Sequence, residues 1–188
     1  RPSPISTPPS GIWSSTATPA TASVSDPNGV ELGLKFQTTV GGYITGVRFY
    51  KGAQNTGTHL GNLWSSSGQL LATATFVNET SSGWQQANFA PPVAVTANTT
   101  YVASYHTDTG NYSVDVNYFA PNGVTNAPLR ALSSGAAGGN GVYRYGATGF
   151  PVSSYGAANY WVDVVFATNV AADTTAPVVA AITPAAGA

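Results

Sequence analysis

Between residues 30 and 167 the chain reads as a series of short stretches with apolar side chains at alternate positions, and no window shows convincing helical spacing. VELGLKF (30–36) sets Leu32, Leu34 and Phe36 on one side of a strand and Glu31 and Lys35 on the other. YITGVRFYK (43–51) turns Val47 and Phe49 inward and Arg48 and Tyr50 outward, and WQQANF (84–89) turns Ala87 and Phe89 inward. HLGNLW (59–64) and QLLATATFV (69–77) flank SSSG, a hairpin turn. PPVAVTANTTYVASYH (91–106) bends at TANTT before a strong strand; NYSVDVNYF, GVYRYG and NYWVDVVFAT complete the set. Half-apolar strands cut by Gly, Asn, Ser and Pro must bury their inward faces against a second sheet. The chain is therefore expected to be all-β, an antiparallel β-sandwich with a jelly-roll-like topology. No repeat of roughly 20 to 50 residues marks a solenoid or propeller.

Charge sets the next limits. Charged residues make up 7% of the 188-residue chain, against roughly 25% in an ordinary soluble domain. The hydrophobic share is 43%, enough for a core, so the polar surface has to come from Ser, Thr, Asn, Gln and Gly. With a net charge of -1 and no lysine–arginine run, no nucleic-acid partner is expected. No apolar run nears the roughly 20 residues of a spanning helix, so no membrane insertion is expected. Cysteine is absent, which excludes disulfides and thiolate metal sites.

Three regions are expected. Residues 1–23 are a Pro/Ser/Thr-rich segment, partly docked through Ile12 and Trp13; with Arg1 first, a processed or trimmed N-terminus is the simple reading. Residues 24–168 form the sandwich. Residues 169–188 read as a linker, and its DTTAPVVAAITPAAGA resembles the lead-in to a bacterial immunoglobulin-like domain, so the natural chain is expected to continue beyond Ala188.

GIWSSTATPATASVSDPNGVELGLKF, YITGVRFYKGAQNTGTHLGNLWSSSGQLLATATF, GWQQANFAPPVAVTANTTYVASYHTDTGNYSVD, GGNGVYRYGATGFP and NYWVDVVF occur in order. Together these phrases resemble domain-of-unknown-function family 4082, a secreted bacterial β-domain, over about residues 11 to 168. The resemblance implies an accessory module beside immunoglobulin-like repeats and carbohydrate-active or cell-surface domains. It brings no established catalytic residues. With the composition, it implies a secreted or bacterial cell-surface location.

The residues that carry chemistry are few: two histidines and seven acids. No GxSxG elbow is present, and neither His59 nor His106 lies in a known catalytic motif, so the chain is expected not to be an enzyme. Both histidines lie at strand ends, where loops gather at a sandwich rim. His59, His106 and Asp108 meeting at one end would ligate a transition metal, although that set is incomplete; otherwise the imidazoles bond loop backbone. Glu31 and Asp163 each interrupt an apolar strand. If they converge they make a structural calcium site; if not, Glu31 pairs with a cation such as Lys35 or Arg48, and Asp163 faces water.

Aromatic residues point to a polysaccharide or cell-surface glycan as partner, because sugar C–H faces stack on Trp and Tyr while polar tips bond hydroxyls. Trp64, Trp84, Tyr112, Tyr118, Tyr143, Tyr145, Tyr155 and Trp161 are the aromatic candidates. GGNGVYRYG, a glycine-rich loop that delivers Tyr143, Arg144 and Tyr145 together, is the most telling; an ordinary mobile loop is its alternative. The expected ligand-binding set is His59, Trp64, His106, Asp108, Tyr112, Tyr143, Arg144 and Tyr145. HTDTGN marks the rim, with His59 and the Tyr143–Tyr145 loop as neighbours. The rival expectation is an assembly subunit of an adhesin or filament, self-associating when an end segment such as APVVAAIT (176–183) adds a strand to a neighbour's sheet edge.

Overall fold

The computed structural model describes residues 9–170. The strands are β1 (Val30–Thr38), β2 (Gly42–Lys51), β3 (His59–Ser65), β4 (Leu70–Thr75), β5 (Gly83–Val95) and β6 (Tyr101–Thr107). After them come β7 (Val124–Asn126), β8 (Leu129–Ala131), the one-turn helix α1 (Ser134–Ala137), β9 (Val142–Tyr145), β10 (Ser153–Ser154) and β11 (Val162–Ala167). The larger sheet runs β10-β9-β1-β6-β3-β4; β8 continues the β9 edge of β1, and β7 pairs with β8. The smaller sheet is β11-β2-β5. Every pairing is antiparallel, and the fold is a β-sandwich. The chain changes sheet between β1 and β2, β2 and β3, β4 and β5, β5 and β6, and β10 and β11, as in a jelly-roll-like path.

The alternation in the sequence sets the two faces of each sheet. Val30, Leu32, Leu34 and Phe36 of β1 and Val47 and Phe49 of β2 are buried between the sheets. Phe49 stacks on Tyr105 of β6 at a centroid distance of 4.0 Å, and Phe76 meets Phe49 edge-on at 4.8 Å. Such a fully buried phenyl contributes about 3–5 kcal/mol against truncation to alanine.

Both outer faces are covered in part. Residues 12–17 lie over the smaller sheet: Ile12 and Trp13 are buried with their N–H groups on Asp163 of β11, and the Ala17 carbonyl accepts from Trp84 Nε1 of β5. Trp13 packs on Trp161 at 5.9 Å and donates from Nε1 to Tyr118 Oη at 3.1 Å. Over the larger sheet, Phe150 caps a second apolar cluster of Trp64, Val102 and Val142. Residues 1–8 and 171–188, on which the expected linker, immunoglobulin-like lead-in and strand-adding segment 176–183 fall wholly or in part, lie outside the described residues.

Candidate ligand-binding site

β9 lies near the margin of the larger sheet, and its register on β1 decides which side chains it presents. Tyr143 pairs with Leu32 and Tyr145 with Val30, so both tyrosines share the core-side face of β1, whereas Arg144 opposes Glu31 on the other face. Tyr112, Tyr143, Tyr145, Tyr155 and Tyr160 line one cavity of about 300 Å³. Its floor is buried and its walls are open: Tyr160 is 5% exposed, Tyr145 51% and Tyr155 70%. The rings of Tyr143 and Tyr145 meet edge-on at 5.7 Å, as do those of Tyr112 and Tyr160. This cavity has aromatic faces with phenolic tips, the pairing that suits a half-wet ligand.

Asp26 holds the phenols in place. Its Oδ2 accepts from Tyr145 Oη at 2.5 Å and from Tyr112 Oη at 3.3 Å, and its Oδ1 accepts from Asn28 Nδ2 at 2.7 Å. Burial raises the Asp26 carboxyl, but the bonds from Tyr145, Asn28 and Tyr112 outweigh it and the net shift is downward. Tyr145 is raised chiefly by its bond to Asp26, and Tyr112 and Tyr160 chiefly by burial, so all three stay protonated at neutral pH. The turn that carries Asp26 closes on Gly110, whose φ of +59° and approach to the Asp26 carbonyl leave no room for a Cβ.

The stretch from Tyr143 to Thr148 also borders two further depressions. Tyr145 and Gly146 join Asn28 and Gly29 around about 380 Å³. Ala147 and Thr148 join Thr58, Leu60, His106 and Asp108 around about 310 Å³. In the latter, His106 Nε2 lies 3.0 Å from Asp108 Oδ1. Behind it, His106 Nδ1 stands 3.5 Å from Glu31 Oε2, at ion-pair reach but without hydrogen-bond geometry. Glu31 is fully buried, and three neutral donors satisfy it: Ser104 Oγ at 2.6 Å, Asn62 Nδ2 at 2.8 Å and Thr148 Oγ1 at 2.9 Å. The nearby Glu31 carboxylate raises His106, burial opposes it, and Asp108 raises it further.

The expected set is thus brought together in part. Tyr112, Tyr143 and Tyr145 share the tyrosine cavity, and His106 and Asp108 border the neighbouring depression. His59 is elsewhere. It pairs with Thr107, next to His106, and strand alternation sends neighbouring side chains to opposite faces. His59 packs on Phe49 at 4.9 Å inside the sandwich, with Nδ1 2.8 Å from Glu79 and Nε2 2.8 Å from Asn55. The two histidines therefore do not join in one metal site. Burial lowers His59, although Glu79 opposes the shift. Trp64 is buried and donates from Nε1 to Ser104 Oγ at 2.7 Å, so it presents no face to a ligand. Arg144 is turned away from the tyrosines toward Gly149.

Glu31 and Asp163 do not converge. They lie on the outer faces of different sheets, so the calcium pairing fails on geometry. Asp163 does not face water either: it is fully buried and paired with Arg48. Among the described residues no group of three or more His, Cys, Asp or Glu could hold a metal ion.

Sequence reasoning missed Tyr160, which stands in the strand NYWVDVVFAT, and Asp26, which it did not single out. The available signal was tyrosine density: positions 143, 145, 155 and 160 all fall in the last part of the sandwich.

The family model described as Domain of unknown function (DUF4082) matches residues 16–162. No curated protein and no solved structure matches the chain.

Proposed function

We propose that this chain, which belongs to the DUF4082 family, is a noncatalytic binding module of a secreted or cell-surface protein and takes polysaccharide in its tyrosine cavity. The observation that carries this reading is the convergence of five tyrosines on one cavity of about 300 Å³. A pyranose ring offers C–H faces to the aromatic walls and hydroxyls to the phenolic tips. The adjoining depressions along residues 143–148 favour an extended chain over an isolated monosaccharide. Shallow stacking gives modest affinity, on the order of 0.1–1 mM or about 4–5.5 kcal/mol, which tethering to other modules would raise by avidity.

The test is calorimetry or NMR titration of the chain against a broad panel of neutral oligosaccharides, repeated with Tyr155→Ala. Because Tyr155 is 70% exposed, its truncation leaves the core intact. Binding by the parent, weakened about 5- to 30-fold in the variant, is the expected result, equivalent to about 1–2 kcal/mol. Silence across the panel, or equal affinity in the variant, refutes the reading.

A further inference from the structure

A groove of about 610 Å³ lies on the outer face of the larger sheet, away from the tyrosine cavity. Lys35, Gln37, Ser66, Thr100, Val102 and Arg130 are among the residues lining it. In a chain with so few charges, the pairing of the cations is informative. Arg48 pairs with Asp163 and Lys51 with Glu79, but among the described residues no carboxylate lies within 4.0 Å of Lys35, Arg130 or Arg144. Two of those three share this groove.

Strand register brings them together. Gln37 pairs with Arg130, so Lys35 is the diagonal neighbour of Arg130, roughly 7–8 Å away along the backbone. Among the described residues both bond to neutral groups. Lys35 Nζ donates to the Ala137 carbonyl at 2.9 Å. Arg130 donates from Nε to Gln37 Oε1 at 3.0 Å and from Nη2 to Asn98 Oδ1 at 3.2 Å. Burial lowers Lys35, as expected of an ammonium without a counter-charge.

We propose that this groove is a second ligand site, which takes the carboxylate of an acidic sugar. Gln37 and Asn98 hold Nε and Nη2 of Arg130, so a carboxylate meets the guanidinium through Nη1, and the nearby ammonium adds the second charge. The Ser66 and Thr100 hydroxyls and the Gln37 amide supply the polar groups that ring hydroxyls require, and Val102 supplies an apolar floor. The carboxylate follows from the groove itself. The choice of a sugar as its carrier rests on the polysaccharide reading above.

The experiment is ¹H–¹⁵N NMR titration with tetragalacturonate, its uncharged methyl ester, acetate and inorganic phosphate, each against the parent, Lys35→Gln, Arg130→Gln and Tyr155→Ala. The amide spectrum reports folding of every variant. Saturable shifts at Gln37, Thr100 and Arg130 with tetragalacturonate are expected. They should weaken at least about tenfold with the methyl ester and in either charge variant, and persist in Tyr155→Ala. No saturable shift at these residues, or unchanged shifts in both charge variants, overturns the proposal. Acetate or phosphate binding as tightly as tetragalacturonate overturns the acidic sugar. Neutral-glycan affinity unchanged in Tyr155→Ala overturns only the tyrosine cavity, so the two readings fail separately.

Discussion

Replacing Asp163 with asparagine removes the fully buried carboxylate from its ion pair with Arg48. Asp163 Oδ1 accepts from the backbone N–H of Ile12 and of Val164, both at 2.8 Å, and Oδ2 accepts from Trp13 N–H at 3.2 Å and from Arg48 Nη2. Arg48 also donates to the Trp13 carbonyl at 2.7 Å and lies over the Trp84 ring at 4.5 Å, with its side chain 13% exposed. Asparagine keeps one acceptor but points an amide N–H₂ at Trp13 N–H and the guanidinium. Breaking a buried pair by removing one partner costs about 3–5 kcal/mol. At about 2–4 °C per kcal/mol for a domain of this size, the melting temperature should fall by about 6–20 °C. Burial raises the Asp163 carboxyl even though Arg48 and the backbone donors pull it down, so desolvation outweighs their attraction. The double variant Arg48→Met with Asp163→Asn, which leaves no stranded charge, should therefore recover most of the loss. Calorimetry on the parent, both single variants and the double variant closes the cycle. A single-variant shift under about 3 °C, or a double variant no better than Asp163→Asn, refutes the argument.

Three further outcomes are expected. NMR titration of the two imidazoles should place His106 above and His59 below the ordinary value of 6.5. His106 then adds stability that is fully present below 6.5 and fades as pH rises through its folded value. His59 removes stability as pH falls below 6.5 toward its own; chemical-shift curves in the reverse order contradict the two networks. Glu79→Ala strands Lys51 and His59, whose nitrogens each lie 2.8 Å from its carboxylate, and should cost about 3 kcal/mol or more in urea unfolding. Gly110→Ala forces a Cβ to within 2.0 Å of the Asp26 carbonyl at a φ of +59°, and should cost about 1–3 kcal/mol, read by the same unfolding assay.

The inward faces were legible because a strand has one free variable, its phase: once Leu32, Leu34 and Phe36 are buried, Glu31 and Lys35 must lie opposite. The same rule separates His59 from His106, but only after register is known. His59 pairs with Thr107, and that offset of one residue sends the two imidazoles to opposite faces. Charge partners were not legible. Glu79 sits in a polar turn, NETSSG, yet its side chain turns inward to Lys51 and His59, and Asp163 is sealed by a segment 150 residues earlier in the chain.

By itself the sequence determined that the chain is all-β, which faces are apolar, that it matches one family over residues 16–162, and that aromatic residues outnumber charged ones as candidate contacts. Those properties depend on local alternation and composition, which survive in one dimension. Tertiary structure alone decided that Tyr112 joins Tyr143, Tyr145, Tyr155 and Tyr160, that Asp26 holds two of their hydroxyls, and that Lys35 and Arg130 share a groove. Those depend on sheet order and register, set by contacts between segments far apart in the chain. No local pattern encodes which strand becomes whose neighbour.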